Sequence, residues 1–272
     1  MKIAVAQFAS GADKSTNMER IADLATQAAK AGARAVVFPE GAMHTFGELT
    51  DDLRPAAEPL DGQFVDSLMR LAYRLGVIVV AGMFEAIPGD ERIYNTAVVI
   101  DPRDGILATH RKSHLYDAFG EKESARFRPG AEEPPLFEID GVKTGLVVCY
   151  ELRFPAYIQQ IADRGADLLV VPAAWVAGPL KEDHWVVMTR ARAMENTMYL
   201  AGAGMTGVGF CARSVIVDPL GIVVAGLGEN EGVAHADISA DRLTLARARL
   251  PLVEQRRALV EQRRPASAEA KA

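Results

Sequence analysis

Short apolar segments alternate along this chain with longer amphipathic ones, and this alternation limits the possible folds more than any other feature. An apolar run of about five to eight residues is typical of a buried strand, whereas about twelve to eighteen residues with one apolar face are typical of a helix. Strands are predicted over residues 2–9, 35–38 and 77–83, and helices over residues 15–30 and 62–75. This order predicts an α/β fold whose sheets are covered by helices.

Two turn sequences divide the chain into similar halves. Residues 101–105 read Asp-Pro-Arg-Asp-Gly and residues 218–221 read Asp-Pro-Leu-Gly, and each turn separates two apolar segments. Such turns are typical of hairpins. A strand, a helix and a strand precede each hairpin, and in the second half they are predicted over residues 143–148, 154–163 and 168–172. Because hairpins pair strands antiparallel, we predict two mixed sheets packed face to face.

The composition excludes several classes of protein. The 272 residues are 49% hydrophobic and 24% charged, as in folded globular proteins. The formal net charge of −6 leaves no basic surface for a nucleic acid partner. Neither a signal peptide nor an apolar run of about 18 residues is present, so we expect a cytoplasmic protein with no membrane partner. The only cysteines, Cys149 and Cys211, exclude a disulfide scaffold and a four-thiolate zinc site.

Three residues with chemically useful side chains follow predicted strands. Glu40, Lys112 and Cys149 each have an ordinary structural interpretation, as a loop glutamate, a surface lysine and a small buried cysteine. However, the residues from Tyr150 to Phe154 lead into a predicted helix, whose free N–H groups should lower the pKa of the thiol. A thiolate, a carboxylate that accepts protons and a cation that stabilises an oxyanion together suit nucleophilic attack on a carbonyl group.

Four short motifs resemble those of the nitrilase superfamily of carbon–nitrogen hydrolases, and the resemblance runs from residue 2 to about residue 264. The motifs are Val-Val-Phe-Pro-Glu at 36–40, Arg-Lys-Ser-His-Leu-Tyr-Asp at 111–117, Cys-Tyr-Glu-Leu-Arg-Phe-Pro at 149–155 and Arg-Ala-Arg-Ala-Met-Glu-Asn at 190–196. Because all four occur in the order found in that superfamily, the match is far more specific than any single motif.

The resemblance implies a four-layer α-β-β-α sandwich, a homodimer or larger homo-oligomer, and a triad of Glu40, Lys112 and Cys149. It also implies that Glu123 is a second glutamate, which positions Lys112 and the substrate. The chain departs from the pattern at Ala156, where many members carry a glutamate, and we expect this position to be structural.

The expected reaction is hydrolysis of an amide. In this hypothesis Cys149 attacks the carbonyl carbon, Glu40 transfers protons, and Lys112 together with the backbone N–H of Tyr150 stabilises the oxyanion. We expect no metal and no organic cofactor, because no pair of histidines has the spacing of two ligands on one helix face with an acid nearby.

The substrate side is less closely defined by the sequence. Arg153, Trp175 and His184 are candidates for binding the substrate, although Trp175 and His184 suit packing roles equally well. The cysteine motif is closer to omega-amidase and deaminated glutathione amidase than to true nitrilases. We therefore expect the amide of a small molecule that bears a carboxylate, anchored by at least one arginine near the motifs. These arginines are Arg111, Arg126, Arg128, Arg153 and Arg213.

The sequence allows three alternatives to this function. An N-carbamoyl hydrolase would use the same triad, and a catalytically silent binding protein could share the fold. A nucleotide-binding protein is disfavoured, because no Gly-x-Gly-x-x-Gly follows the first strand.

For the domain organisation we predict one hydrolase domain over residues 1–250, a C-terminal extension over 251–264 that could form an interface, and a disordered tail over 265–272.

Overall fold

The computed structural model describes residues 1–48 and 51–262, which form twelve strands and six α-helices. The strands are β1 (Lys2–Gln7), β2 (Ala35–Val37), β3 (Ile78–Glu85), β4 (Tyr94–Asp101), β5 (Gly105–Arg111), β6 (Leu136–Ile139), β7 (Val142–Leu146), β8 (Leu168–Ala173), β9 (Tyr199–Gly204), β10 (Val215–Val217), β11 (Val223–Gly226) and β12 (Gly232–Asp237). The helices are α1 (Lys14–Lys30), α2 (Gln63–Leu75), α3 (Pro155–Asp163), α4 (Lys181–Glu195), α5 (Ala240–Arg249) and α6 (Leu252–Gln262).

The strands form two mixed sheets, and each half of the chain supplies most of one sheet. The first sheet has the order β12-β1-β2-β3-β4-β5 and the second has the order β11-β10-β9-β8-β7-β6. In the first half β1, β2 and β3 are parallel and the hairpin β4–β5 follows, while in the second half β7, β8 and β9 are parallel and the hairpin β10–β11 follows. The predicted pair of similar halves, the mixed sheets and the α-β-β-α sandwich are confirmed.

Alternation along the strands explains how the layers pack. Side chains of a strand point to opposite faces in turn. In β1, Ile3 and Val5 belong to the core that includes the second sheet, whereas Ala4 and Ala6 belong to the core formed with α1 and α2. Both faces of β1 are therefore buried, which accounts for its nearly continuous apolar sequence.

A third hairpin, β6–β7, is absent from the sequence prediction. Its turn is Asp140-Gly141, and both residues have a positive φ, of 47° and 79°. An Asp-Gly pair between two strands is a strong signal for a two-residue hairpin turn, because both positions require this backbone conformation. This turn was therefore readable from the sequence, together with the two Asp-Pro turns.

The C-terminal part of the described chain is helical. The predicted extension over residues 251–264 contains α6, where Arg256 lies 2.7 Å from Asp163 at the end of α3. The tail predicted to be disordered, residues 265–272, lies outside the described residues. Among the helices of residues 1–48 and 51–262, none is both long enough and apolar enough to cross a membrane.

Candidate active site

Glu40 lies three residues beyond the end of β2, and its carboxylate is held by donors from both halves of the chain. Its side chain is buried, and Oε1 accepts hydrogen bonds from Lys112 Nζ at 2.8 Å and from Asn95 Nδ2 at 2.7 Å. Oε2 accepts from the backbone N–H of Ala174, just after β8, at 2.8 Å. Three donors fix the orientation of this carboxylate, which is the requirement for a group that transfers protons between fixed atoms.

Lys112 follows β5 directly and is buried between two glutamates. Its Nζ lies 2.8 Å from Glu40 Oε1 and 2.9 Å from Glu123 Oε2. Burial alone would lower the pKa of Lys112, but the negative charges of Glu123 and Glu40 outweigh it and hold the pKa well above its ordinary value. Lys112 is therefore an ammonium ion, a fixed positive charge inside the protein.

Glu123 begins a short 3-10 helix, Glu123–Ala125, and its side chain points inward. Besides contacting Lys112, its carboxylate accepts hydrogen bonds from Asn95 Nδ2 at 3.0 Å and from the backbone N–H of Tyr116 at 2.5 Å. The structure thus buries Glu123 and brings its carboxylate to Lys112.

Cys149 begins a 3-10 helix, Cys149–Arg153, that follows β7 and leads into α3. Its φ of 46° lies in the left-handed region, an uncommon conformation for a residue with a side chain. Only 8% of the residue is exposed. Tyr150 follows in the first turn of this helix, where backbone N–H groups have no partner within the helix and can bind an anion.

The sequence-based expectation of a lowered thiol pKa is wrong. Burial raises the pKa of Cys149 well above its ordinary value, and the negative charge of Glu40 raises it further, while Lys112 only partly opposes them. The sequence pattern shows the helix that follows the cysteine, but it does not show how deeply the thiol is buried or that a carboxylate lies beside it. Cys149 is therefore a thiol at neutral pH, with a proton acceptor next to it.

Asn95 is a site residue that the sequence analysis missed. It lies in β4, is 1% exposed, and its Nδ2 donates to Glu40 and to Glu123. It therefore joins the two carboxylates that flank Lys112. Asparagine is depleted in strands, so an asparagine in an otherwise apolar central strand is the signal that could have identified it.

These residues surround one cavity of about 530 Å³. Glu40, Lys112, Glu123, Cys149 and Tyr150 all line it. A buried thiol, a carboxylate that can take its proton, an ammonium ion and free backbone N–H groups can together form and stabilise a tetrahedral oxyanion.

Two of the three predicted substrate-binding residues line the same cavity. Arg153 and Trp175 both face it, and the Arg153 guanidinium carbon lies 4.6 Å from the centre of the Trp175 ring. Trp175 is held in place because its Nε1 donates to the backbone carbonyl of Lys181 at 2.8 Å. His184 does not line the cavity, and its Nδ1 lies 3.5 Å from the Arg153 guanidinium, behind the candidate site.

Of the five arginines near the motifs, only Arg126 and Arg153 line the cavity. Arg126 donates to the backbone carbonyls of Phe46 and Glu48, at 3.0 and 2.9 Å. Among the residues that the structure describes, no carboxylate lies within ion-pair distance of Arg153, and its buried Nε has no hydrogen-bond partner. Arg153 therefore lines the cavity without a carboxylate partner among the described residues.

Residues 2–248 match the carbon-nitrogen hydrolase family. The chain belongs to this family. The deaminated glutathione amidase of Escherichia coli is 37% identical over 249 residues, which cover 91% of this chain and 94% of that relative. The structure of the C. elegans NitFhit protein matches with a TM-score of 0.88 at 27% identity, covering 95% of this chain but only 65% of the NitFhit chain.

A mutant of the amidase from Nesterenkonia sp. AN1 is a further structural match, with a TM-score of 0.80 and 28% identity over 96% of this chain and 95% of that one. Its structure shows covalent addition of the acetamide moiety of fluoroacetamide at the active-site cysteine of that amidase. The chain is thus a carbon–nitrogen hydrolase of the nitrilase superfamily that acts on amide bonds, as its motifs predicted. The catalytically silent alternative is left without support.

Proposed function

We propose that this carbon–nitrogen hydrolase cleaves amides through a thioester on Cys149. Glu40 accepts the thiol proton as the sulfur attacks the carbonyl carbon, and the carbonyl oxygen becomes an oxyanion that Lys112 and the backbone N–H of Tyr150 stabilise. Glu40 then donates its proton to the leaving nitrogen. The carbon–nitrogen bond breaks, ammonia or an amine leaves, and the acyl group remains on the sulfur.

The same carboxylate serves the second half of the reaction. A water molecule takes the place of the departed ammonia or amine, gives a proton to Glu40 and adds its oxygen to the thioester carbon. Collapse of this second tetrahedral intermediate breaks the carbon–sulfur bond, Glu40 returns the proton to Cys149, and the carboxylic acid leaves. The bonds formed and broken balance without any other reactant.

The observation that carries this proposal is the fixed carboxylate beside a protonated thiol. Lys112, Asn95 and the N–H of Ala174 hold Glu40 in one orientation, and its charge helps to keep the proton on Cys149. A thiol in this state needs a base at the moment of attack, and Glu40 is the group placed to act as one.

We further propose that the substrate is a small amide that also carries a carboxylate, as omega-amides and deaminated glutathione do. Arg153 supports this substrate class, because it lines the cavity, it has no carboxylate partner within the described part of the chain, and it is stacked on Trp175. An arginine held in this way can bind a carboxylate through paired N–H donors. The Escherichia coli relative, named deaminated glutathione amidase, supports the same class.

The mechanism is tested by comparing the two cysteines of the chain. Cys149→Ala should abolish release of ammonia from an amide substrate, whereas Cys211→Ala should retain most of it, because Cys211 is a buried cysteine that does not line the cavity. Rapid quenching followed by mass spectrometry should detect the acyl adduct on the peptide that contains Cys149. Equal loss in both variants, or turnover by Cys149→Ala, would contradict the mechanism.

The substrate class is tested with a panel of omega-amides, N-carbamoyl amines and deaminated glutathione. The amide of a dicarboxylic acid should have a higher kcat/KM than the same amide with its free carboxylate esterified. The difference in transition-state free energy should be about 1.5–3 kcal/mol, as for a charge-assisted hydrogen bond. Arg153→Met should remove this difference. Arg128→Met is the control, since Arg128 pairs with Asp90 and does not line the cavity. Equal rates for free and esterified substrates would favour the carbamoyl hydrolase or a broad aliphatic amidase.

A further inference from the structure

A buried carboxylate next to the candidate site has no part in the mechanism above. Glu151 lies two residues after Cys149 in the 3-10 helix and is 0% exposed. It belongs to the cysteine motif, but its side chain does not line the cavity. The proposed mechanism therefore gives it no direct role. A buried glutamate is costly unless it is paired and hydrogen-bonded, so its contacts are informative.

The two oxygens of Glu151 bind different parts of the site. Oε2 accepts the backbone N–H of Val148 at 2.7 Å and contacts His110 Nε2 at 2.8 Å. Oε1 accepts the backbone N–H and the hydroxyl of Ser113, both at 2.8 Å. Val148 immediately precedes Cys149 and Ser113 immediately follows Lys112, so one carboxylate joins the peptide before the nucleophile to the peptide after the lysine.

The charge state of this carboxylate suits the contacts. Burial works to raise the pKa of Glu151, but its electrostatic interaction with His110 and hydrogen bonds from His110, His114 and the Val148 N–H outweigh it and lower the pKa. Glu151 is therefore ionised, and both of its oxygens act only as acceptors. Each oxygen accepts a hydrogen bond from a backbone N–H, which can only donate. An NH₂ group in place of either oxygen would therefore face a donor and could not bond to it.

The backbone of Cys149 explains why such a connection is needed. A non-glycine residue at a φ of 46° is strained, and such a conformation persists only where the surrounding contacts enforce it. Glu151 holds the preceding peptide on one side and, as part of the same 3-10 helix, follows the cysteine on the other. It thereby fixes both ends of the strained segment relative to the strand that carries Lys112.

We propose that Glu151 is a positioning residue, which holds the Cys149 backbone in its left-handed conformation and at a fixed distance from Lys112 through Val148, Ser113 and His110. This inference rests on the proposed function, because the alignment of Cys149 with Lys112 affects the rate only if Cys149 is the nucleophile. Its loss should slow attack by the sulfur while leaving the walls of the cavity, and so substrate binding, nearly unchanged.

The test is Glu151→Gln, which keeps the shape of the side chain but places an NH₂ group against backbone or side-chain donors. We expect kcat for an amide substrate to fall by tenfold or more, while KM changes less than threefold. The rate constant for alkylation of Cys149 by iodoacetamide should fall in parallel, because it also depends on where the sulfur lies. All rates are divided by the folded fraction from circular dichroism.

Glu85→Gln is the matched control. Glu85 is also buried, and it pairs with Arg111 and accepts a hydrogen bond from the Thr96 hydroxyl, so Glu85→Gln neutralises another buried carboxylate that contacts the lysine motif but not Cys149. If Glu151→Gln and Glu85→Gln have the same kcat per folded molecule, the inference is wrong. If Glu151→Gln does not fold, Ser113→Ala replaces it, since it removes one donor and leaves the His110 pair. A threefold or larger fall in kcat at constant KM then supports the role, and an unchanged kcat overturns it.

Cys149→Ala, measured alongside, distinguishes failure of the proposed function from failure of the role proposed for Glu151. Activity in Cys149→Ala contradicts the proposed function itself. An inactive Cys149→Ala together with a Glu151→Gln variant that matches Glu85→Gln contradicts only the role of Glu151.

Discussion

At the scale of single residues, the candidate site keeps the thiol of Cys149, the proposed nucleophile, protonated. Thiols that react as free thiolates lie where positive charge lowers their pKa. Cys149 has one positive neighbour, Lys112, but that charge is already shared by Glu40 and Glu123. Burial and the charge of Glu40 therefore decide the state of the thiol. In the proposed mechanism the base and the nucleophile act as one unit, so the thiol loses its proton only as it attacks.

This arrangement predicts a thiol titration that differs from that of an ordinary cysteine. An unperturbed thiol, with a pKa near about 8.5, is roughly nine-tenths ionised at about pH 9.5. The ultraviolet difference spectrum between the wild type and Cys149→Ala should show no thiolate up to this pH, because the pKa of Cys149 is raised. In Glu40→Gln the thiolate should appear at lower pH than in the wild type, because the neutral amide removes a negative charge that disfavours it. A thiolate signal at neutral pH in the wild type would contradict this reading.

Asn95 provides a second prediction at this scale. Within residues 1–48 and 51–262, Asn95→Ala removes the only side-chain donor shared by Glu40 and Glu123 apart from Lys112. Loss of hydrogen bonds to charged groups, at about 1.5–3 kcal/mol, should lower kcat/KM by about tenfold to a hundredfold. Asn196→Ala is the control, because Asn196 is equally buried but donates to the backbone carbonyl of Arg192, away from the cavity. Similar kcat/KM values in the two variants would exclude a role for Asn95 in aligning the carboxylates.

At the scale of elements, a close contact between β3 and the loop after β2 sets the position of Glu40. A Cβ atom on Gly82 would lie 2.6 Å from the backbone nitrogen of Gly41 and 2.7 Å from the Cα of Glu40. Backbone hydrogen bonds from Met43 to Gly82 and from Gly82 to Pro39 hold the loop against the strand. Only glycine permits this approach, so the loop carrying Glu40 lies directly on β3.

Gly82→Ala should therefore push the Glu40 loop away from the strand. Overpacking of this kind costs about 1–3 kcal/mol of stability, and a displaced base lowers kcat by about tenfold to a hundredfold. Denaturant unfolding and steady-state kinetics measure the two effects. Gly228→Ala should change neither, because a Cβ atom there meets nothing within 4 Å. Full activity in Gly82→Ala would show that the loop does not depend on this contact.

The sequence was sufficient for elements whose signal is local. The apolar stripe of α1 and the Asp-Pro turns of the hairpins β4–β5 and β10–β11 are encoded within each segment, so they were predicted with boundaries close to those observed. Strand β12 was not predicted, because it pairs antiparallel with β1 from the far end of the chain. Its existence depends on a partner more than 200 residues away, and no local pattern records that partner.

The same division applies to the site. Glu40, Lys112 and Cys149 were identified as candidates because each follows a strand within a recognisable motif, and the structure brings them to one cavity. Asn95 was missed because its importance comes from two carboxylates distant in sequence, Glu40 and Glu123. The direction of the Cys149 pKa shift was wrong for the same reason, since burial and the position of Glu40 are properties of the packed sheets.

At the scale of the whole molecule, the site exists only where the two halves meet. The first half supplies Glu40, Asn95 and Lys112, and the second supplies Cys149 and the Ala174 N–H that binds Glu40. One continuous apolar core joins the inner faces of both sheets. Neither half contains a complete set of reacting groups, so the order of the site is tied to the docking of one sheet on the other.

This dependence predicts that the two halves unfold as one unit. Both tryptophans, Trp175 and Trp185, are buried in the second half, so tryptophan fluorescence reports on that half and far-ultraviolet circular dichroism reports on both. The two denaturation curves should coincide, since exposing the inner face of either sheet also exposes the other. Ile3→Val, in β1 of the first half, should lower the free energy of unfolding by about 0.5–1.5 kcal/mol in both curves alike, whereas Ile222→Val, at a position 54% exposed, should change it by less than about 0.5 kcal/mol. If Ile3→Val leaves the fluorescence denaturation curve unchanged, or if the fluorescence and dichroism curves do not coincide, the two sheets unfold independently. Residues 1–250 then do not fold as a single domain.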